Sequence, residues 1–173
     1  ENNKKIPDLE LKETIFGQVL QEMKNIDSKE YFLETGKRLF TVALQGEHAS
    51  DSGGPYHDVI SNICDELQSE YIDLLIKTPN NKSNYDQLSD KFILNPNANR
   101  KLHNEAYEFL GKIMASSFSS GEALDLNIHP CIWKALLGNE ITFYDYETID
   151  YHFYNLINNL EENKGIIEEQ DLY

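Results

Sequence analysis

The first clear periodicity runs over residues 11 to 26. Leu11, Ile15, Phe16, Val19, Leu20, Met23 and Ile26 recur three or four positions apart, which predicts an amphipathic helix with one apolar stripe. Residues 38 to 44 change period. Phe40, Val42 and Leu44 alternate with Thr41 and Ala43, predicting a short half-buried strand. Helical spacing returns at Val59, Ile60, Ile63, Cys64, Leu67, Tyr71, Leu74 and Leu75, about five turns of one helix. Thr78-Pro79-Asn80-Asn81 breaks this pattern, and residues 79 to 90 read as polar loop. Lys91 to Leu94 form a brief strand candidate, closed by Asn95-Pro96-Asn97.

A second helix is predicted from about residue 101 to 118, burying Leu102, Ala106, Phe109, Leu110, Ile113 and Met114, with Gly121 as punctuation. Pro130 opens a third helix carrying Ile132, Trp133, Leu136 and Leu137, and Gly138 stands where a helix ends in left-handed backbone. Thr142 with Asp145 marks a short helix. Asp150 caps a last one, expected to bury Phe153, Leu156, Ile157 and Leu160. There is no internal repeat. These elements specify one mainly α domain with short β-strands, an α+β fold.

Between the first strand and the long helix lies a glycine-rich corner. Gly46, Gly53 and Gly54 permit positive φ or close backbone approach, and Pro55 suits a first helical turn. Glu47, Ser50, Asp51 and Ser52 can accept from the exposed N–H groups of a helix start. The segment reads as a structural corner. If Gly54 holds positive φ, Val in its place costs about 1–3 kcal/mol.

Composition narrows the function classes. The chain has 173 residues, 40% of them apolar, with 10 Tyr, 8 Phe and 1 Trp, enough for a real core. Lys and Arg number 15 against 30 Asp and Glu, a formal charge of −15 that repels phosphate backbones and anionic lipid. Nucleic-acid binding is therefore disfavoured. No apolar run reaches the ~20 residues needed to span a bilayer, and no signal peptide opens the chain, so no membrane insertion is expected. The start at Glu1 and the end at Gln170-Asp171-Leu172-Tyr173 read as cuts within something longer.

Candidate chemistry is sparse. Neither a phosphate-binding glycine loop nor a Gly-x-Ser-x-Gly elbow is present. His48, Asp51, His57 and Asp58 cluster in sequence, and a metal-dependent hydrolase using His48, Asp51 and His57 is one reading. They straddle a turn, however, and no downstream pair completes a ligand spacing, so no metal or cofactor is expected. Cys64 and Cys131 make no disulfide framework and point to a reducing compartment, cytoplasmic or nuclear. Cys64 lies in a core stripe, and Cys131 lies at a packed helix start rather than in the electropositive setting that activates a thiol. Both read as structural. His103, His129 and His152 read as surface or cap residues.

Seven pieces then occur in order: Phe40-Thr-Val-Ala-Leu-Gln-Gly-Glu47, Asp51-Ser-Gly-Gly-Pro55, Thr78-Pro-Asn80, Phe92-Ile-Leu-Asn-Pro96, Phe109-Leu-Gly-Lys-Ile-Met114, Leu124-Asp-Leu-Asn127 and Pro130-Cys-Ile-Trp-Lys-Ala-Leu-Leu-Gly138. Together they resemble the amino-terminal lobe of a HECT-type ubiquitin ligase, nearest the large HERC branch, over about residues 12 to 162. The resemblance implies a parent enzyme that accepts ubiquitin from a conjugating enzyme onto a cysteine and passes it to substrate lysines. In the family that cysteine follows a Thr in a separate carboxy-terminal lobe, and neither Cys64 nor Cys131 matches it.

The subdomain that grips the conjugating enzyme follows a segment like 150 to 162, so the resemblance implies a lobe truncated before its end, inactive alone. Gly165 to Tyr173 fit the acidic approach to the next part of that lobe. Partners implied are the conjugating enzyme and ubiquitin through the full domain, with substrates chosen by regions elsewhere. Gly46, Glu47, Asp51, Gly53, Gly54, Pro55, Asn95, Pro96 and Trp133 carry over as structural motif residues. Some members hold a second ubiquitin on an aromatic patch; the aligned position here is Asp90, and a carboxylate serves such a patch poorly. The alternative is an acidic helical interaction domain without a ubiquitin role.

Overall fold

The computed structural model describes residues 11–27, 38–42, 54–85, 88–98 and 101–163. Its elements are α1 (Ile15–Met23), α2 (Gly54–Leu67), β1 (Leu75–Lys77), α3 (Pro79–Ser83), β2 (Phe92–Leu94), α4 (Lys101–Ser120), α5 (Pro130–Leu136), α6 (Asp145–Ile149) and α7 (Tyr151–Glu162). The fold is mainly helical with one two-stranded sheet, as the sequence pattern specifies. β1 and β2 run antiparallel, with Thr78 N–H donating to the Lys91 carbonyl and Asn95 N–H to that of Leu74. The chain forms two compact units. One comprises Glu1–Leu75 with Asn95–Leu126, the other Ile76–Leu94 with Asn127–Tyr173.

The first unit holds most of the buried apolar side chains. Phe16, Leu20 and Met23 of α1, Tyr56, Ile60, Ile63, Cys64 and Leu67 of α2, and Ala106, Phe109, Leu110 and Ile113 of α4 are all buried. Phe16 and Phe109 pack ring to ring with centroids 5.5 Å apart. The start of α1 is fully satisfied. Thr14 N–H reaches the Leu11 carbonyl, Gly17 N–H the Thr14 hydroxyl, and those of Ile15 and Phe16 each take one oxygen of Glu66 at 2.8 Å. Gly17 also lies against the Leu11 carbonyl so closely that a Cβ there would collide with it.

Three sequence expectations change in this unit. The long helix stops at Leu67, not Leu75. Gln68 Nε2 donates to the Cys64 carbonyl and Ser69 Oγ to that of Glu66, so side chains take over the end of α2. The apolar residues beyond are still buried, but through a turn and the start of β1, while Tyr71 is 73% exposed. The strand expected over 38–44 is irregular chain across 38–42, and residues 43 and 44 lie outside the described residues. Its alternation reports side-chain burial instead. Phe40 packs against Tyr56 at 4.9 Å, and the Arg38 guanidinium stands 5.2 Å over the same ring. His103, expected at the surface, is buried beside Asp73, with Nε2 3.3 Å from the carboxylate.

The second unit is built on polar brackets as much as on apolar contact. Thr78 caps α3 through Asn81 N–H with Pro79 in the first turn, so part of the expected 79–90 loop is helical. Buried Asn80 donates from Nδ2 to the Glu147 carbonyl at 3.0 Å and accepts Tyr151 N–H at 2.8 Å, joining α3 to the junction of α6 and α7. Phe92 bridges Ile128 in parallel, giving its N–H to Asn127 and taking that of His129. α5 closes as expected. Gly138 adopts φ +71° and Asn139 N–H returns to the Lys134 carbonyl at 2.8 Å. The expected burial of α7 does not occur: Phe153, Leu156 and Leu160 are each at least 45% exposed. The helix is held by Asp150, which caps it through Phe153 N–H, and by Tyr85–Tyr151 and Phe143–Tyr154 stacking at 4.1 and 4.9 Å. An apolar stripe records what a helix face can bury, not whether a partner lies against it.

Candidate functional site

A ubiquitin-carrying thiol must be exposed and ionisable. Neither cysteine qualifies. Cys64 is buried inside α2, and burial pushes its thiol up to about 11. Cys131 is buried in the first turn of α5, where burial, with Asp145 nearby, also raises it. The structural reading of both thiols therefore has a local basis in desolvation.

The glycine corner is only partly visible. Gly46, Glu47, His48, Asp51 and Gly53 lie outside the described residues. Gly54 is the first residue of α2, its backbone is not left-handed, and a Cβ there would meet nothing within 4 Å. The positive φ considered for Gly54 is thus corrected, because Gly54 already lies in the helix it opens. Pro55 follows in the first turn, where its missing N–H leaves no orphan.

Asn95 and Pro96 form the corner that ends β2. Asn95 Nδ2 donates to the Asp73 carbonyl at 2.7 Å, and its Oδ1 accepts Asn97 N–H at 3.0 Å, an Asx turn that sets the chain direction. The Tyr107 hydroxyl donates to the Leu74 carbonyl at 2.7 Å beside them. His57, one of the sequence-clustered histidines, pairs with Glu122, Nδ1 to Oε1 at 2.6 Å. Among the described residues no three His, Cys, Asp or Glu side chains converge as metal ligands. Asp90 is exposed and bonded to Lys91 Nζ at 2.8 Å, a contact that holds its carboxyl below the usual range.

The second unit carries exposed apolar side chains, including those of a helix whose stripe was expected to be buried. Within α5, Trp133 is 45% exposed, Leu136 66% and the following Leu137 76%. Ile141, Phe143, Tyr144, Tyr146, Phe153, Leu156 and Leu160 continue the exposed apolar series through α6 and α7. Lys134 forms an ion pair with Asp145 at 2.5 Å, while Asp145 also takes the N–H and hydroxyl of Thr142. Lys134 and Thr142 hold the Asp145 carboxyl low. Among the described residues, most of the exposed large apolar side chains thus fall in this one unit. The sequence signal was present as amphipathic stripes, but not their exposure.

Comparison with known proteins gives the family. The family described as HECT-domain (ubiquitin-transferase) matches residues 61–173. The chain is 31% identical over 156 residues, 90% of its length, to E3 ubiquitin-protein ligase HERC2 of Homo sapiens. Mus musculus E3 ubiquitin-protein ligase HUWE1 is 28% identical over 130 residues, 75% of the chain, and Homo sapiens probable E3 ubiquitin-protein ligase HECTD4 26% over 123 residues, 70% of it. The chain spans about 3% of the length of each of these relatives. No described helix is long and apolar enough to cross a membrane. The reading of an acidic interaction domain outside the ubiquitin system is displaced, and the chain belongs to the HECT-domain family, with a relative in HERC2.

Proposed function

We propose that this chain is the helical platform of a HECT amino-terminal lobe. In this reading the parent protein accepts ubiquitin from a conjugating enzyme onto a cysteine of its carboxy-terminal lobe and transfers it to substrate lysines. The platform supplies no nucleophile. The observation that carries this division of labour is the burial of Cys64 and Cys131, which keeps both thiols protonated and out of reach near neutral pH.

The exposed apolar side chains of α5, α6 and α7 are the face against which the remainder of the ligase domain packs. The motif residues Gly46, Glu47, Asp51, Gly53, Gly54, Pro55, Asn95, Pro96 and Trp133 serve the architecture of that platform. Conjugating enzyme and ubiquitin meet the full domain, in a reducing cytoplasmic or nuclear compartment. The test extends the chain through the rest of the domain and supplies activating enzyme, conjugating enzyme and ubiquitin. A reductant-sensitive ubiquitin adduct on the longer protein supports the reading, and a longer protein that folds but never loads overturns it.

A further inference from the structure

His129 stands at the joint of three elements. Its N–H donates to the Phe92 carbonyl at 2.8 Å, fixing the segment before α5 to β2. Its side chain is 1% exposed, and Nδ1 accepts the N–H of Cys131 at 3.2 Å, capping α5. That bond requires Nδ1 to be bare, so the proton of the neutral ring belongs on Nε2. Nε2 makes no hydrogen bond of normal geometry among the described residues, although the Thr148 carbonyl of α6 lies close enough to favour the protonated ring. A second proton would fall on Nδ1, turn an acceptor into a donor against an N–H, and bury a cation.

The charged groups around the ring oppose one another. Lys91, in the approach to β2, faces the ring with like charge and is held by Asp90 and Asn127. Among the described residues, Asp145 of α6 is the carboxylate that faces it, and its oxygens are engaged by Lys134 of α5 and by Thr142. Burial nevertheless pushes the imidazole below its ordinary value, with Thr148 and Asp145 pulling the other way.

We propose that His129 is an acid-sensitive latch: while neutral it holds the start of α5 against β2, and protonation releases that segment. The sign follows from linkage. Where the folded form binds the proton less tightly than the unfolded form, stability is complete above the ordinary His range and falls as pH drops through that range toward the folded value. Mild acid therefore opens this region ahead of global unfolding.

The whole chain is taken from about pH 8 to about pH 5, the range in which histidines titrate. Fluorescence of Trp133, the only tryptophan, reports on α5. Hydrogen exchange at Cys131 and Ile132, corrected for intrinsic rates, reports on the cap. Protection at those amides should fall by up to about tenfold per pH unit, the limit for one proton. His129→Asn, which caps without titrating, should flatten the response, and His152→Gln should leave it intact. Unchanged wild-type protection overturns the proposal, as does an equal loss in His129→Asn. Should that variant fail to fold, the imidazole resonances of the unmodified protein decide. A proton on Nε2 with uptake below the ordinary His value supports the latch; a proton on Nδ1, or uptake at or above that value, overturns it.

Discussion

Replacing Glu66 with Gln keeps the side chain's length but removes one of two acceptors that close the start of α1. Glu66 lies 51 and 50 residues from Ile15 and Phe16, and each of its oxygens accepts one of their N–H groups at 2.8 Å. A Gln can accept one N–H and must turn its amide toward the other. The orphaned donor costs about 1–3 kcal/mol, and losing a negative charge at a helix N-terminus about 0.3–1 kcal/mol more. Because the site is only partly buried, water recovers some of this, which puts Glu66→Gln at roughly 1–3 kcal/mol. For a chain of this size that corresponds to about 2–12 °C in Tm. Urea unfolding followed by circular dichroism gives the free energy, and hydrogen exchange at Ile15 and Phe16 locates it. Glu66→Ala, which leaves both donors open, should cost more than Glu66→Gln. A Gln variant within about 0.5 kcal/mol of wild type, the ordinary range for a neutral surface change, would refute the capping account.

Two glycines make opposite forecasts in the same assay. Gly17→Ala places a methyl group into the Leu11 carbonyl and should cost about 1–3 kcal/mol, whereas Gly54→Ala meets open space in helical backbone and should be neutral or stabilising by about 0.4–1 kcal/mol. Asn80→Leu strands the Glu147 carbonyl and the Tyr151 N–H, an expected loss of roughly 2–4 kcal/mol, with faster exchange across residues 151–162 as its local signature. A variant that melts like wild type would remove Asn80 from the account of how α7 is held.

What could be read from the sequence was what local chemistry decides. α4, β2, the Pro130-to-Gly138 helix and the Asp150 cap carry their own start, stop or period within a few residues, and they appear where the pattern puts them. The overrun of α2 came from Ile72, Leu74 and Leu75, whose apolar character serves a turn and a strand as well as it would serve a helix. Thr78-Pro79 was a legible cap and first-turn pair hidden by the polar residues after it. The Glu66 and Asn80 brackets join positions 50 to 71 residues apart, beyond any periodicity. Family membership was legible because ordered motifs survive where single residues are ambiguous. Which stripe would be bare was not, since a stripe of apolar positions looks the same whether covered or exposed.

The central claim is that this polypeptide shapes a ubiquitin-transfer domain without performing the transfer. Incubating the 173-residue chain with activating enzyme, charged conjugating enzyme and ubiquitin, then resolving it with and without reductant, tests this most directly. The account predicts no reductant-sensitive adduct on the chain. An adduct that forms on the native protein and disappears in Cys64→Ser or Cys131→Ser would contradict it.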